Sequence, residues 1–357
     1  MSDERIVTTK DPFIIWRSLR SRIGAETLGL IIALLAVIIL FSCLTPRFLT
    51  LATFDSVAFQ LPELGLLTLA MLMPIISGGI NLAITVSANI CGLTLAWILK
   101  SHGGADAGVL TFLLGSILAI GVGTACGLVM GPVIAYTGAH PILVSLSMMI
   151  FLRGLGEFLT RGGDISGFPD FIQPLGHGYL LGIPIPLLIL LVAVLIWHIL
   201  MSRTRLGFET YMIGSNIEAA RYSGLNTKRT LVLIYALSGA MCAVAGIIML
   251  ARFNSVRVGH GESYLLITVL ACFLGGVNPF GGFGKVTSVF LALIILQILS
   301  SGLNLLGASQ HLASAIWGFL LIAVMVLRWA TGQFKFEFWR TQPAVQHRGT
   351  RPPASPS

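Results

Sequence analysis

Asn81, Thr85 and Asn89 fall four residues apart within an otherwise apolar run, with Ser87 between them. On a helix this spacing places the three on one face. Their amides and hydroxyls donate and accept hydrogen bonds without carrying charge, which suits a neutral hydroxylated solute better than an ion. The same groups would also serve to bond neighbouring helices, and the residues alone leave both readings open. Asn304, in a later apolar run, is a further candidate of the same kind.

Charged groups inside the apolar runs are few: Glu63 near one end, Arg153 with Glu157, and His198. Arg153 and Glu157 stand four apart, the spacing of a structural ion pair along a helix. Proton or ion coupling usually leaves a relay of Asp, Glu or His in the bundle, so their scarcity disfavours a proton-driven carrier. No GxxxxGK[ST] phosphate loop occurs, and Gly281 to Lys285 lacks both its spacing and the following Ser or Thr. Metal-ligand spacing and a set of nucleophile, base and acid are absent too. The chain reads as neither an ATPase nor an intramembrane enzyme, with no metal site and no cofactor of its own.

The elements that position these groups follow from composition. Of 357 residues, 55% are hydrophobic and 10% charged, with mean hydropathy +0.91, which marks an all-α polytopic membrane protein. Runs of about 20 mainly apolar residues predict about ten spans, near 27–45, 56–77, 80–99, 108–135, 141–160, 181–201, 231–250, 264–276, 286–306 and 312–328. Only Ser77, Gly78 and Gly79 separate the second and third, and the eighth is short, so broken or re-entrant helices are expected there. A second glycine cluster, Gly275 to Gly284, repeats the earlier Gly-Gly-Ile-Asn as Gly-Gly-Val-Asn, either as an internal repeat of the kind transporters carry or by coincidence. Irregular backbone at membrane depth requires protein or a water-filled cavity around it. Gly127 and Gly131 form a GxxxG step, the signature of close helix contact. The five cysteines all lie in apolar runs and are expected as small core residues. No cleavable signal sequence is evident.

The formal charge of +8 lies at span ends rather than along one stripe, which points to membrane orientation and away from nucleic acid. With the N-terminus in the cytoplasm, 16 of the 22 Lys and Arg fall on the cytoplasmic side, as the positive-inside rule requires. Three regions result: a cytoplasmic segment 1–26, a transmembrane domain 27–330 and a cytoplasmic tail 331–357 expected to be disordered. The polar loop 203–230 then faces the cytoplasm. Within it Asn216 is placed as an N-cap ahead of Glu218, Ala219, Ala220 and Arg221, and Gly224 stands as a C-terminal stop. On the other side, Phe168, Phe171 and Tyr179 lie in the longest outer loop, as interface aromatics or as a landing site for a partner.

Five segments, SGGINLAI at 77–84, HPILVSLSMMIFLRGLGEFLTRG at 140–162, GSNIEAARYSGLNTKR at 214–229, LGGVNPFGGFGK at 274–285 and SSGLNLLG at 300–307, resemble the permease subunits of bacterial ABC importers for sugars, of the ribose, xylose and galactose type. Asn81 stands where that family commonly has Asp, and Ala83 where it has Ser. The resemblance implies a bacterial inner-membrane subunit that pairs with a second permease. It also implies cytoplasmic ATP-binding subunits that use ATP and Mg, and a periplasmic binding protein that delivers the solute. It gives the 214–225 helix, with Gly214, Asn216, Glu218, Ala220, Arg221 and Gly224, the role of coupling to the ATPase. Asn81, Thr85, Ser87, Asn89 and Asn304 become the expected substrate pathway. An ion- or proton-coupled secondary transporter and a non-transporting membrane scaffold are the competing readings.

Overall fold

The computed structural model describes residues 25–330, so the tail 331–357 and nearly all of segment 1–26 lie outside the described residues. Helix α1 (Ala25–Leu44) is followed by α2 (Leu51–Ile76), α3 (Ile84–Ser101), α4 (Val109–Thr137) and α5 (Pro141–Thr160). Beyond the short α6 (Gln173–His177) come α7 (Ile185–Arg203), α8 (Arg205–Ser215) and α9 (Ile217–Tyr222). The series closes with α10 (Thr227–Phe253), α11 (Tyr264–Leu274), α12 (Val286–Leu305) and α13 (Gln310–Ala330). Among the described residues nine helices are long and apolar enough to cross a membrane. The expected short span is α11, whose 11 residues extend about 16 Å, half of a hydrocarbon core of about 30 Å. Helices dominate because hydrocarbon offers the backbone no partners outside itself.

Burial sorts these helices in a way that composition alone does not. The apolar window of α2 is 89% buried and that of α13 only 6%. Lipid tails are as apolar as leucine, so hydrophobicity does not draw a helix inward here; packing and hydrogen bonds do. Helix α2 packs on α7, α10, α11 and α12, while α10 also packs on α3 and α4. The α4–α10 contact brings backbones together: Gly123, Gly127 and Gly131 abut Gly239, Tyr235 and Val232, and a Cβ at Gly127 would overlap the Tyr235 carbonyl. The GxxxG step is thus a close helix contact, extended one turn to Gly123. Gly246 likewise sits against the Ala88 backbone of α3.

Two expectations need correction. Helix α3 begins at Ile84, so Asn81 is not on its face but in the link before it. There its side-chain Oδ1 accepts from the Ala83 N–H at 3.1 Å, a local bond of the kind that lets Asn compete with helix formation. Cys91, Cys126, Cys242 and Cys272 are buried, but Cys43 is exposed on α1 and is no core residue.

At one end of the bundle short strands tie down the loops: β1 (Ile165–Ser166) pairs antiparallel with β4 (Ser255–Val256), and β2 (Tyr179–Leu180) with β3 (Ile183–Pro184). Phe168 is buried beneath this cover, its N–H donating to Asn254 Oδ1 at 3.2 Å, while Phe171 and Tyr179 remain exposed.

Candidate functional site: a glycine junction and a polar cavity

Helix α8 starts at a Thr204 cap, whose Oγ1 accepts from Gly207 N–H at 3.3 Å. It is pinned to α10 by Glu209, which receives the Thr230 hydroxyl and pairs with Arg205 at 2.7 Å. The Thr230 hydroxyl, helped by Arg205, holds the Glu209 carboxyl below its ordinary value against the opposing effect of burial. Asn216 then ends α8 and caps α9, its Oδ1 accepting from Ala219 N–H at 3.0 Å. Ala220 is buried, and Glu218 and Arg221 form an exposed ion pair at 3.2 Å. Gly224 takes φ +81°, and the bonds from Gly224 N–H to Arg221 O and Leu225 N–H to Ala220 O close α9 as a Schellman stop. Sequence reasoning found the cap and the stop of α9. It missed α8, although Thr204 is a readable N-cap signal.

Gly214, near the end of α8, is wedged into the bundle. A Cβ there would overlap Ile76 O at the end of α2 and Gly282 N in the 275–285 loop. Gly281 in turn abuts Gly78 N and Gly214 Cα, and Gly282 N–H donates to Ile76 O at 2.9 Å. Tyr211 of α8 donates its hydroxyl to Gly284 O at 2.6 Å. The two glycine motifs therefore touch each other and the α8–α9 segment at one point. Each motif follows the same helix ending. Gly78 bonds Ile75 O and Gly79 bonds Pro74 O after α2; Gly276 bonds Phe273 O and Val277 bonds Cys272 O after α11. Both are Schellman stops with a positive-φ glycine, followed by an Asn whose Oδ1 accepts from the backbone two residues on. The junction's outer side shows Phe280, Phe283 and Tyr222 as exposed aromatics.

The polar residues of the α3 region are buried and mostly engaged within the fold. Asn81 Nδ2 donates to Ser238 Oγ at 3.0 Å, and Ser238 donates on to Ala70 O at 2.7 Å, which ties the link to α10 and α2. Asn89 Nδ2 donates to the carbonyls of Val258 and His260 at 2.5 and 2.9 Å, fastening α3 to the loop after α10. Thr85 is buried, and the buried Ser87 hydroxyl has no hydrogen-bond partner among the described residues. Asn304 lies apart from these four.

Asn304 is exposed at the mouth of a cavity of about 220 Å³ at the end of the bundle opposite α8–α9. Its wall joins α2, α11, α12 and α13 and is largely polar, with Gln60, Ser263, Tyr264, Gln297, Ser300 and Trp317 contributing. Gln297 Nε2 donates to Gln60 Oε1 at 3.1 Å, and Gln60 Nε2 to Ser56 Oγ at 2.8 Å. Tyr264 is held by its hydroxyl on Glu63 Oε2 at 3.1 Å, and Glu63, wholly buried, pairs with Arg252 at 2.8 Å. Sequence reasoning named Glu63 but not its partner, and it passed over Gln60 and Gln297. Both are uncharged amides inside apolar spans, the signal that selected Asn81 and Asn89. Arg153 bonds Glu157 at 2.9 Å as its spacing predicts, and also reaches Glu262 at 2.9 Å.

The model of the family described as branched-chain amino acid transport system / permease component matches residues 53–325. The autoinducer 2 import system permease protein LsrD of Yersinia enterocolitica is 34% identical over 272 residues, covering 74% of this chain and 80% of that protein. Its namesake in Salmonella typhi is 32% identical over 298 residues, 82% of this chain and 87% of the relative. That of Photorhabdus temperata is 31% identical over 306 residues, 84% and 90% of the two chains. No solved structure matches significantly. These relatives are transport subunits rather than enzymes, and in importers of this type ATP is hydrolysed by a separate subunit. The chain belongs to the branched-chain amino acid transport system / permease component family, as a multi-pass permease subunit of a sugar-type ABC importer.

Proposed function

We propose that this permease lies in a bacterial inner membrane with both termini and the α8–α9 segment in the cytoplasm. There it pairs with a second permease subunit and carries a sugar or sugar-like solute delivered by a periplasmic binding protein. The Lys and Arg distribution supports this orientation. The relatives' names make autoinducer 2 the first solute to test. Cytoplasmic ATP-binding subunits, using ATP and Mg, dock on the exposed Asn216, Glu218, Arg221 and Gly224, flanked by the exposed aromatics of the 275–285 loop, while Gly214 and the buried Ala220 seat the coupling segment on the bundle.

The observation that carries the reading is the contact of Gly214 with the end of α2 and with the 275–285 loop that follows α11. Closure of the ATPase dimer displaces α8 and α9. With backbone packed on backbone, that displacement reaches α2 and the 275–285 loop without side chains to absorb it. The bundle then exchanges outward and inward access, and the solute biases the exchange only through different affinities for the two states. Asn81, Thr85, Ser87 and Asn89 belong to the frame of the pathway, and Asn304 to its opening.

The test is uptake of autoinducer 2 and D-ribose by proteoliposomes holding the full complex, with and without ATP, for wild type and for Glu218→Ala with Arg221→Ala. Uptake that requires ATP, together with reduced ATPase copurification in the double variant, is the expected result. Uptake that follows an ion gradient without ATP overturns the reading, and so does unchanged assembly with unchanged coupling.

A further inference from the structure

We propose that the polar cavity between α2, α11, α12 and α13 is a solute site for an uncharged, polyhydroxylated small molecule, with Gln60, Gln297, Ser300 and Asn304 as hydrogen-bonding groups and Tyr264 and Trp317 as its aromatic walls. The inference rests on the importer reading and gives it a location. The cavity of about 220 Å³ exceeds more than tenfold the roughly 10–15 Å³ that a single water needs. It deepens from an exposed mouth at Asn304 and Ser314 to a buried floor at Gln297 and Trp317. Amides and hydroxyls around such a space match alternating donors and acceptors on a polyol, and an aromatic face accepts the C–H side of a ring.

Charge narrows the ligand class. No charged side chain lines the cavity itself, and the exposed Arg47 lines a separate hollow that meets the cavity only at Asn304. Glu63 and Arg252 neutralise each other behind Tyr264. The pair fixes the Tyr264 ring in the wall. A second hollow shows the contrast. Between α4 and α5, Val129, Val133, Leu143, Val144, Met148 and Phe151 line a groove of about 500 Å³ with a mainly apolar wall. Apolar side chains gain nothing from a polyol and suit acyl chains or another helix. Size therefore favours that groove, and chemistry favours the smaller cavity.

The experiment uses the full complex in which the exposed native thiol is removed by Cys43→Ser and a new one is placed at the mouth by Asn304→Cys. The rate of labelling by a membrane-impermeant maleimide is read with autoinducer 2, D-ribose, D-galactose and, as a charged comparison, ribose 5-phosphate. In parallel, ATP-driven uptake is measured for Gln297→Leu and Trp317→Leu, with Trp317→Phe as the conservative partner. Protection by a neutral solute and none by the phosphate ester is expected. KM should rise by about tenfold or more in Gln297→Leu, as expected when a site loses one hydrogen bond to its ligand, and Trp317→Phe should recover most of the loss seen in Trp317→Leu. Maximal uptake per inserted complex should change far less, which a purely structural role would not produce. Labelling unaffected by any neutral solute, or uptake with unchanged KM in both Leu variants, overturns the inference. Protection without ATP-dependent uptake in wild type would instead retain the site and overturn the importer reading.

Discussion

The two ends of this permease are built from opposite materials. At the α8–α9 end, Gly214, Gly78, Gly281 and Gly282 bring three segments together backbone against backbone, with no room for another atom. At the other end, Gln60, Gln297, Ser300 and Asn304 stand around open space. Close contact transmits displacement, whereas a lined cavity receives a molecule. One fold holds both kinds of packing: glycine lets chains approach at one end, and at the other the Gln60 and Gln297 amides bridge α2 and α12 beside open space.

The largest effect should come from filling the junction. Gly214→Val drives a side chain into the backbone atoms Ile76 O and Gly282 N, so two chain segments must separate and the cost goes well beyond that of ordinary core overpacking. We expect uptake to vanish, read beside the amount of inserted protein; ATP-driven uptake above half of wild type would break the contrast between the ends. Next is the buried pair beside the cavity. Removing one partner of a buried ion pair typically costs about 3–5 kcal/mol, so Glu63→Gln should lower the thermal unfolding midpoint in detergent more than any substitution at the exposed Glu218–Arg221 pair. Replacing Glu63 and Arg252 together by apolar residues should recover much of that loss.

A smaller effect is expected at Asn81. Asn81→Leu leaves the Ala83 N–H without its acceptor and removes the donor to Ser238 Oγ, which still bonds Ala70 O, at about 1–3 kcal/mol, and should weaken the α2–α3–α10 tie measured by hydrogen exchange across residues 77–87. Smaller again is Asn216→Ala, which removes one cap worth about 1 kcal/mol and should reduce ATPase copurification modestly. The smallest is acid sensitivity at Glu209. Its carboxyl is held low by Thr230 and Arg205, so its stabilising contribution is present at neutral pH and above the unfolded carboxyl value, and is lost as pH falls through the folded one. Thr230→Val should move that loss to higher pH in an acid unfolding series.

Much of this architecture was legible in the sequence, because span length and hydropathy report membrane helices directly. Nine long helices and the short α11 lie where the apolar runs place them. The breaks at Ser77 and Gly275 were legible through glycine chemistry. Their contact with one another was not, since it joins residues about 200 positions apart through backbone atoms that no side-chain pattern encodes. The likeness of Gly-Gly-Ile-Asn to Gly-Gly-Val-Asn has a physical content at this level: each ends a helix with a Schellman stop, offset by one residue. The polar cavity was half legible. Asn304 was singled out by its type, but Gln60 and Gln297 sit singly in their spans and meet only once α2 and α12 are adjacent. Asn81 shows the converse, a residue whose periodicity suggested a helix face and whose side chain instead bonds the backbone just before the helix begins.

Helix α10 carries a bond at each of these places: Thr230 to Glu209 near its start, Ser238 to Ala70 and Asn81 in its first half, Arg252 to Glu63 near its end. Its 27 residues make a rod of about 40 Å, longer than the hydrocarbon layer is thick. One continuous helix thus joins the segment around Glu209 to the wall of the polar cavity, so the two ends of the molecule share a single backbone as well as their neighbours.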